Sequence, residues 1–136
     1  MIKDLKNNLS VLNALDAATI ATDTTTNGIA IDTQGYQSGV MMLRVGTFVD
    51  GTYTLGVEES DASGSGYTDI PAARIVGTAL ALAGANEHDA IGFVSNKRYV
   101  RGTILSASTT SGADITASCA LGNPDQGPVA AHTAAD

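Results

Sequence analysis

The hydrophobic and polar residues of this chain alternate in short runs, and this pattern predicts β-strands over most of its length. The alternation is clearest in residues 97–105, where Tyr99 would lie on the opposite strand face from Arg98 and Val100. Turn-forming Gly, Asn, Asp and Ser residues separate the runs. The predicted strands are 29–32, 39–46, 53–60, 67–70, 74–82, 90–95, 98–106 and 114–121. Many short strands with regular turns favour an all-β fold, an antiparallel β-sandwich with a jelly-roll-like body.

The strongest local signal is the dipeptide Asp50-Gly51, which stands between the apolar runs 40–45 and 53–57. Both residues tolerate the positive φ angles of a tight hairpin turn, so the sequence predicts that these two runs pair as a hairpin. The run 74–82 is rich in Ala and Leu, as helices are. Its interior Gly77 and the β-branched Val76 nevertheless favour a strand.

The N-terminal segment follows a different pattern. Four apolar residues recur there at three- and four-residue spacing, which is typical of one face of a helix: Ile2, Leu5, Leu9 and Leu12. A short helix of this kind is marginal alone, and the segment could equally be an arm that lies along a neighbouring molecule. We therefore divide the chain into an N-terminal arm and linker (1–27), a β-sandwich domain (28–122) and an irregular C-terminal tail (123–136).

The composition indicates a modest core and a surface that is partly covered in use. Hydrophobic residues make up 43% of the 136 residues but aromatic residues only 4%, so we expect a core of Val, Ile, Leu and Ala. Charged residues are 15%, below the usual quarter or so. The net charge of −7 argues against a nucleic-acid partner. No run approaches the roughly 18 apolar residues of a membrane span, and no signal-peptide pattern opens the chain, so we expect no membrane partner and a cytoplasmic site of synthesis.

No group of residues predicts catalysis, a metal or a cofactor. Cys119 lies in the apolar run 115–121, which favours a buried and inert thiol. His88 and His132 have no catalytic Cys or Ser beside them, and no G-x-S-x-G motif occurs. Four carboxylates cluster in sequence with a spacing that matches no EF-hand loop, so a solvated face is the favoured interpretation over Ca²⁺ binding. They are Glu58, Glu59, Asp61 and Asp69.

Three of the seven basic residues are close together: Lys97, Arg98 and Arg101. They could form a cationic patch that docks against acidic groups of a partner. The alternative is a strand whose charges are solvated and pair locally with Glu58 or Glu59, which costs little because cross-strand pairs of opposite charge are mildly stabilising.

Several motifs, in this order, resemble a known family: DLKNNLSVLNAL, GIAIDTQGYQSGVMMLRVGTFVDGTYTLGVEESD, SGYTDIP and FVSNKRYVR. The resemblance covers most of residues 2–128. It is to small proteins of tailed bacteriophages and prophages that are encoded near the major capsid protein, several of which are head decoration, or cement, proteins.

The resemblance implies a structural virion protein that binds the major capsid protein and decorates the outer capsid surface. It implies a homo-oligomer, for example a trimer at local three-fold positions, made in the host cytoplasm. The residues we expect to bind partners are Leu5, Leu9, Leu12, Lys97, Arg98 and Arg101. A tail or head–tail junction protein is the alternative within the virion. A carbohydrate-binding module is the alternative of another class, although four Tyr and no Trp make a poor platform for sugars.

Overall fold

The computed structural model describes residues 5–124, which form two antiparallel β-sheets packed as a sandwich. The strands are β1 (Ser10–Ile20), β2 (Thr25–Asn27), β3 (Ile31–Asp32), β4 (Tyr36–Phe48), β5 (Thr52–Ser60), β6 (Thr68–Asp69), β7 (Ile75–Val76), β8 (Ala81–Leu82), β9 (His88–Phe93), β10 (Tyr99–Ala107) and β11 (Ala113–Pro124). The five-stranded sheet has the order β1-β11-β4-β9-β7. The six-stranded sheet has the order β2-β10-β5-β6, with β3 also beside β10 and β8 beside β5. The all-β antiparallel sandwich predicted from the sequence is confirmed.

The core lies between the two sheets and follows the alternation of the strands. On β4 the side chains of Met41, Leu43 and Val45 are buried, and on β10 those of Val100 and Ile104 are buried. Because every second side chain of a strand points to the same face, each of these long strands contributes one apolar row to the interior. Burying one such side chain stabilises the fold by roughly 1.5–3 kcal/mol, so these rows hold the two sheets together.

The predicted hairpin at Asp50-Gly51 is wrong, because β4 and β5 belong to different sheets. Gly51 has the positive φ (+97°) that the turn signal required, but the chain crosses from one sheet to the other there. The Asp50 carboxylate accepts backbone hydrogen bonds from Thr110 (3.0 Å), Ser111 (3.1 Å) and Gly112 (2.8 Å), and these bonds lower its pKa. Asp-Gly therefore specified a turn, whereas the choice of strand partner followed from long-range contacts.

The helix interpretation of the N-terminal segment is also wrong within the described residues, since residues 10–20 form strand β1. The strand pairs with β11 in a register that joins Ser10 to Leu121 and Ile20 to Ala113, with irregularities between Asn13 and Ala18. A short isolated helix is marginal, so pairing along the length of β11 outweighs the helical spacing of the leucines. The strands β1 and β2 thus lie in the sheets although they fall within the predicted arm and linker.

Residues 74–82 do not form the single strand that was predicted. A 3-10 helix (Ala72–Arg74) precedes the two-residue strands β7 and β8, and Gly77 between them has a φ of +99°. That left-handed conformation breaks the extended backbone. This 3-10 turn is the one helical element in residues 5–124, and no helix there is long and apolar enough to cross a membrane. Residues 125–136 of the predicted tail lie outside the described part of the chain.

Candidate interaction surfaces

The three basic residues of the 97–101 segment are each paired with a carboxylate of the same chain. The pairs are Lys97–Asp61 at 3.9 Å, Arg98–Asp32 at 2.8 Å and Arg101–Glu58 at 2.8 Å. Arg101 stands directly opposite Glu58 in the β10–β5 register, and its guanidinium lies 4.1 Å from the centre of the Tyr67 ring. The local pairing weighed from the sequence is therefore present for Arg101. Docking of these cations against a partner stays a prediction.

Glu59, not Glu58, is the centre of the tightest polar network. Its carboxylate is buried and accepts two 2.8 Å hydrogen bonds from the Arg74 guanidinium. It also accepts hydrogen bonds from the Ser95 hydroxyl (3.1 Å) and the Asn96 backbone N–H (3.2 Å). The Arg74 hydrogen bonds, reinforced by those from Asn96 and Ser95, lower the pKa of Glu59 to about 2 against the opposing effect of burial. This network fastens β5 to the 3-10 turn and to the loop that follows β9.

Acid should weaken this network in a defined pH range. The folded pKa of Glu59 lies near 2, below its ordinary value of 4.5, so its contribution is complete above about pH 4.5 and is lost as the pH falls towards 2. We expect the urea midpoint of the wild-type protein to fall over this range. The fall should be smaller in Glu59→Gln, which has no carboxyl group to titrate. Parallel pH profiles of the two proteins would contradict the assignment.

The Cys119 thiol is inert, and three of the four clustered carboxylates are taken up in ion pairs. Burial raises the pKa of the Cys119 thiol to about 12, so the thiol is protonated near neutral pH. Glu58, Glu59 and Asp61 belong to the ion pairs above. Among residues 5–124 no group of three or more His, Cys, Asp or Glu side chains is placed to hold a metal ion. His132 lies outside that range.

The predicted leucines occupy different environments at the edge of the five-stranded sheet. Leu5 is 66% exposed, Leu9 is half-buried beside Gly122, and Leu12 packs against the core from β1. The structure therefore does not bring the leucines together with the basic residues, which lie on and beside β10 of the other sheet. Their role in partner binding stays a prediction.

The sequence reasoning missed an apolar row that crosses the whole outer face of the five-stranded sheet. In the strand registers Val11 is paired with Ala120, Ala120 with Val40, Val40 with Gly92, and Gly92 with Val76. The three valines are 50%, 38% and 69% exposed, because the inward positions of these strands are the ones that fill the core. The row is thus a solvent-facing hydrophobic band formed by all five strands.

A second row without ionisable groups lies beside the first. It consists of Asn13, Ser118, Met42 and Ala90, which are neighbours in the same registers. The outer face of the six-stranded sheet is different, since Arg101, Glu58 and Asp69 form a charged row there. One signal in the sequence could have indicated the difference. In residues 40–45, VMMLRV, apolar side chains occupy both strand faces, which is more than one buried face requires.

Comparisons with known proteins show a shared fold. No protein-family model matches the chain, and no curated protein sequence matches it. The PBSX exported protein XepA is similar over 98% of this chain and 43% of its own, with 17% identity and a TM-score of 0.61. The SPBc2 prophage-derived protein YomS is similar over 84% of this chain and 92% of its own, with 13% identity and a TM-score of 0.51. A chain in the structure of infectious bursal disease virus Gx strain is similar over 88% of this chain and 35% of its own, with 14% identity and a TM-score of 0.50. This chain thus spans less than half of XepA, and it shares its sandwich fold with two phage-derived proteins and a virus protein.

Proposed function

We propose that this chain is a structural protein of a tailed-bacteriophage virion that decorates the outer capsid shell by binding the major capsid protein. The observation that carries the proposal is the uncovered edge of β1. Among the described strands β1 pairs with β11 alone, and it is eleven residues long. An edge of this length offers backbone hydrogen-bonding groups to a strand of another molecule.

Apolar side chains stand next to this edge. Leu5 precedes the strand and is 66% exposed, and Val11 near its start is 50% exposed. On the uncovered side of β1, the Ala14 carbonyl accepts a hydrogen bond from the Ile29 N–H (2.8 Å), which ties the middle of the strand to the body. The first half of β1 therefore combines an open backbone edge with exposed apolar groups, as strand addition to a capsid subunit would require.

The interior bracing fits a protein that resists mechanical load. The Glu59 network joins three segments on one side of the sandwich, and the Asp50 carboxylate joins the β4–β5 and β10–β11 loops. The shared fold of XepA and YomS, both phage-derived, supports a phage setting, and the viral chain supports a place in a particle. These grounds support a structural role in the virion, and its place on the outer surface is part of the proposal that the capsid-binding assay tests.

The basic residues would contribute to capsid binding by exchanging their carboxylate partners within this chain for carboxylates of the capsid. The Arg98–Asp32 pair is about half exposed on both sides, so a capsid carboxylate could replace Asp32 at little cost. Arg101 is more enclosed and holds Glu58 more firmly. Arg98 is therefore the first of the three cations to test.

A binding assay with purified capsids that lack this protein tests the proposal. We expect saturable binding of the wild-type chain and at least about tenfold weaker binding of Leu5→Asp, because a buried unpaired charge opposes docking. Val49→Asp is the matched control, since Val49 is 63% exposed in the β4–β5 loop, near the Ile20 end of β1 and so at the opposite end of the strand from Leu5. Absence of saturable binding, or equal losses in the two variants, would overturn the proposal. Binding confined to tails or to one vertex of the particle would favour the tail or head–tail junction instead.

A further inference from the structure

We propose that the outer face of the five-stranded sheet is a self-association surface, on which a second copy of this chain packs face to face. The two copies are related by a two-fold axis that runs parallel to the strands between β11 and β4. This inference goes beyond the proposed function and does not depend on it, because it concerns the face of the sheet rather than its β1 edge, with Val11 common to both, and a different partner.

The first argument is the shape of the apolar row. Large and small residues alternate along it, with valines on β1, β4 and β7 and with Ala120 and Gly92 on the strands between them. Neighbouring strands lie about 4.8 Å apart, so the valines form ridges roughly 10 Å apart with troughs between them. Val76 leans towards Gly92, since a Cβ built at Gly92 would lie 3.2 Å from the Cβ of Val76, and glycine leaves space beside this ridge that any larger residue would fill.

The second argument is that this pattern is complementary to itself. A two-fold axis between β11 and β4 exchanges these two strands and likewise exchanges β1 with β9. Val40 then lies over Ala120 of the second copy, and Val11 lies over Gly92 of the second copy. In the neighbouring row the same axis places Met42 over Ser118 of the second copy. Large side chains thus meet small ones in both rows, as in the packed faces of β-sandwiches.

The third argument is charge. A chain of net charge −7 repels its own copies, so a self-association surface has to be free of uncompensated acidic groups. Neither row holds an ionisable residue, and the Asp16 carboxylate beside the second row accepts a hydrogen bond from the Asn13 side chain. Arg44 lies on β4 two residues after Met42 of the second row, and it is exposed. It is the one arginine in residues 5–124 without an ion pair. The same axis places Arg44 over Thr116 of the second copy, two residues from Asp114, an acceptor of opposite charge.

The fourth argument is size. The three strands β1, β11 and β4 have 11, 12 and 13 residues. With the six-residue strand β9, and at about 3.4 Å per residue and 4.8 Å per strand, the four strands that the axis superposes cover roughly 700 Å², on the order of the 800 Å² per partner of a standard stable interface. A foreign partner would need a matching corrugated apolar face, whereas a second copy provides one by symmetry.

Cross-linking of two single-cysteine variants tests the geometry. Val40→Cys is mixed with Ala120→Cys, and a short bifunctional thiol reagent is added; Val40→Cys mixed with Leu105→Cys is the control. Leu105 is 55% exposed on the outer face of the other sheet, and the native Cys119 is buried. We expect cross-linked mixed dimers to form at least about tenfold faster in the first mixture than in the control mixture. Equal rates in the two mixtures would overturn the proposed arrangement.

Sedimentation equilibrium tests the association itself, from micromolar to millimolar protein. We expect a concentration-dependent dimer for the wild-type chain, at least about tenfold weaker association for Val40→Asp, and no change for Leu105→Asp. Val40→Thr, which has nearly the shape of valine and suits a strand, repeats the test if Val40→Asp does not fold. A wild-type monomer over the whole range, or a trimer, would overturn the proposal. A dimer that does not bind capsids would refute the proposed function and leave this inference intact.

Discussion

We expect Glu59→Ala to lower the free energy of unfolding by about 3 kcal/mol, because it breaks a buried ion pair and leaves the Arg74 Nη2 and Asn96 N–H donors without their acceptor. The Arg74 guanidinium would lose both of its 2.8 Å hydrogen bonds to the carboxylate. The Asn96 N–H would lose its acceptor in the same step, whereas the Ser95 hydroxyl would keep the Lys97 carbonyl at 2.8 Å. Urea unfolding followed by circular dichroism measures the effect as a lower midpoint with an unchanged slope.

Two variants identify which part of the network stabilises the fold. Glu59→Gln keeps an oxygen acceptor near Asn96 but removes the charge, so it should lose less stability than Glu59→Ala. Asp32→Asn removes one partner of the Arg98 pair, whose groups are about half exposed, and should change the midpoint much less. If Glu59→Ala were no more harmful than Asp32→Asn, the buried network would not be a main support of the sandwich.

The positions of the long strands could be predicted from the sequence because they depend on local alternation. The predicted strands 53–60, 98–106 and 114–121 correspond closely to β5, β10 and β11. Strand partners could not be predicted in the same way. Asp50-Gly51 indicated a turn correctly, yet the strands on either side of it joined different sheets, since pairing is decided by contacts far apart in the chain.

The surfaces were harder to predict than the positions of the strands, because they too depend on contacts between residues far apart in the chain. The apolar row requires Val11 to lie beside Ala120 and Val40 beside Gly92. The residues of each pair are far apart in the sequence, so no local pattern reveals that they are neighbours. The Glu59–Arg74 pair also depends on the path of the chain through the 3-10 turn. Only the Arg101–Glu58 pairing was among the alternatives that the sequence offered.

Gly112→Ala should destabilise the protein by roughly 3–5 kcal/mol, because backbone strain and a steric clash act together there. Gly112 has a φ of +81°, and a Cβ at this position would lie far inside contact distance of the Ile20 carbonyl oxygen. The Gly112 N–H also donates a hydrogen bond to Asp50 (2.8 Å), and its carbonyl accepts one from the Val49 N–H (3.0 Å). Any shift that relieved the clash would therefore loosen the junction between the β4–β5 and β10–β11 loops. Thermal and urea unfolding of the purified variant measure the loss.

Gly35→Ala separates the two causes, since Gly35 has a similar φ of +92° but no atom within 4 Å of a built Cβ. It carries the backbone strain alone, so we expect a loss of about 1 kcal/mol, near the lower end of the range for a left-handed non-glycine residue. The difference between the two variants then measures the clash with Ile20. Equal losses would show that the backbone conformation alone requires glycine at position 112. A much larger loss for Gly112→Ala would show that close packing of β1 against the β10–β11 loop sets this requirement.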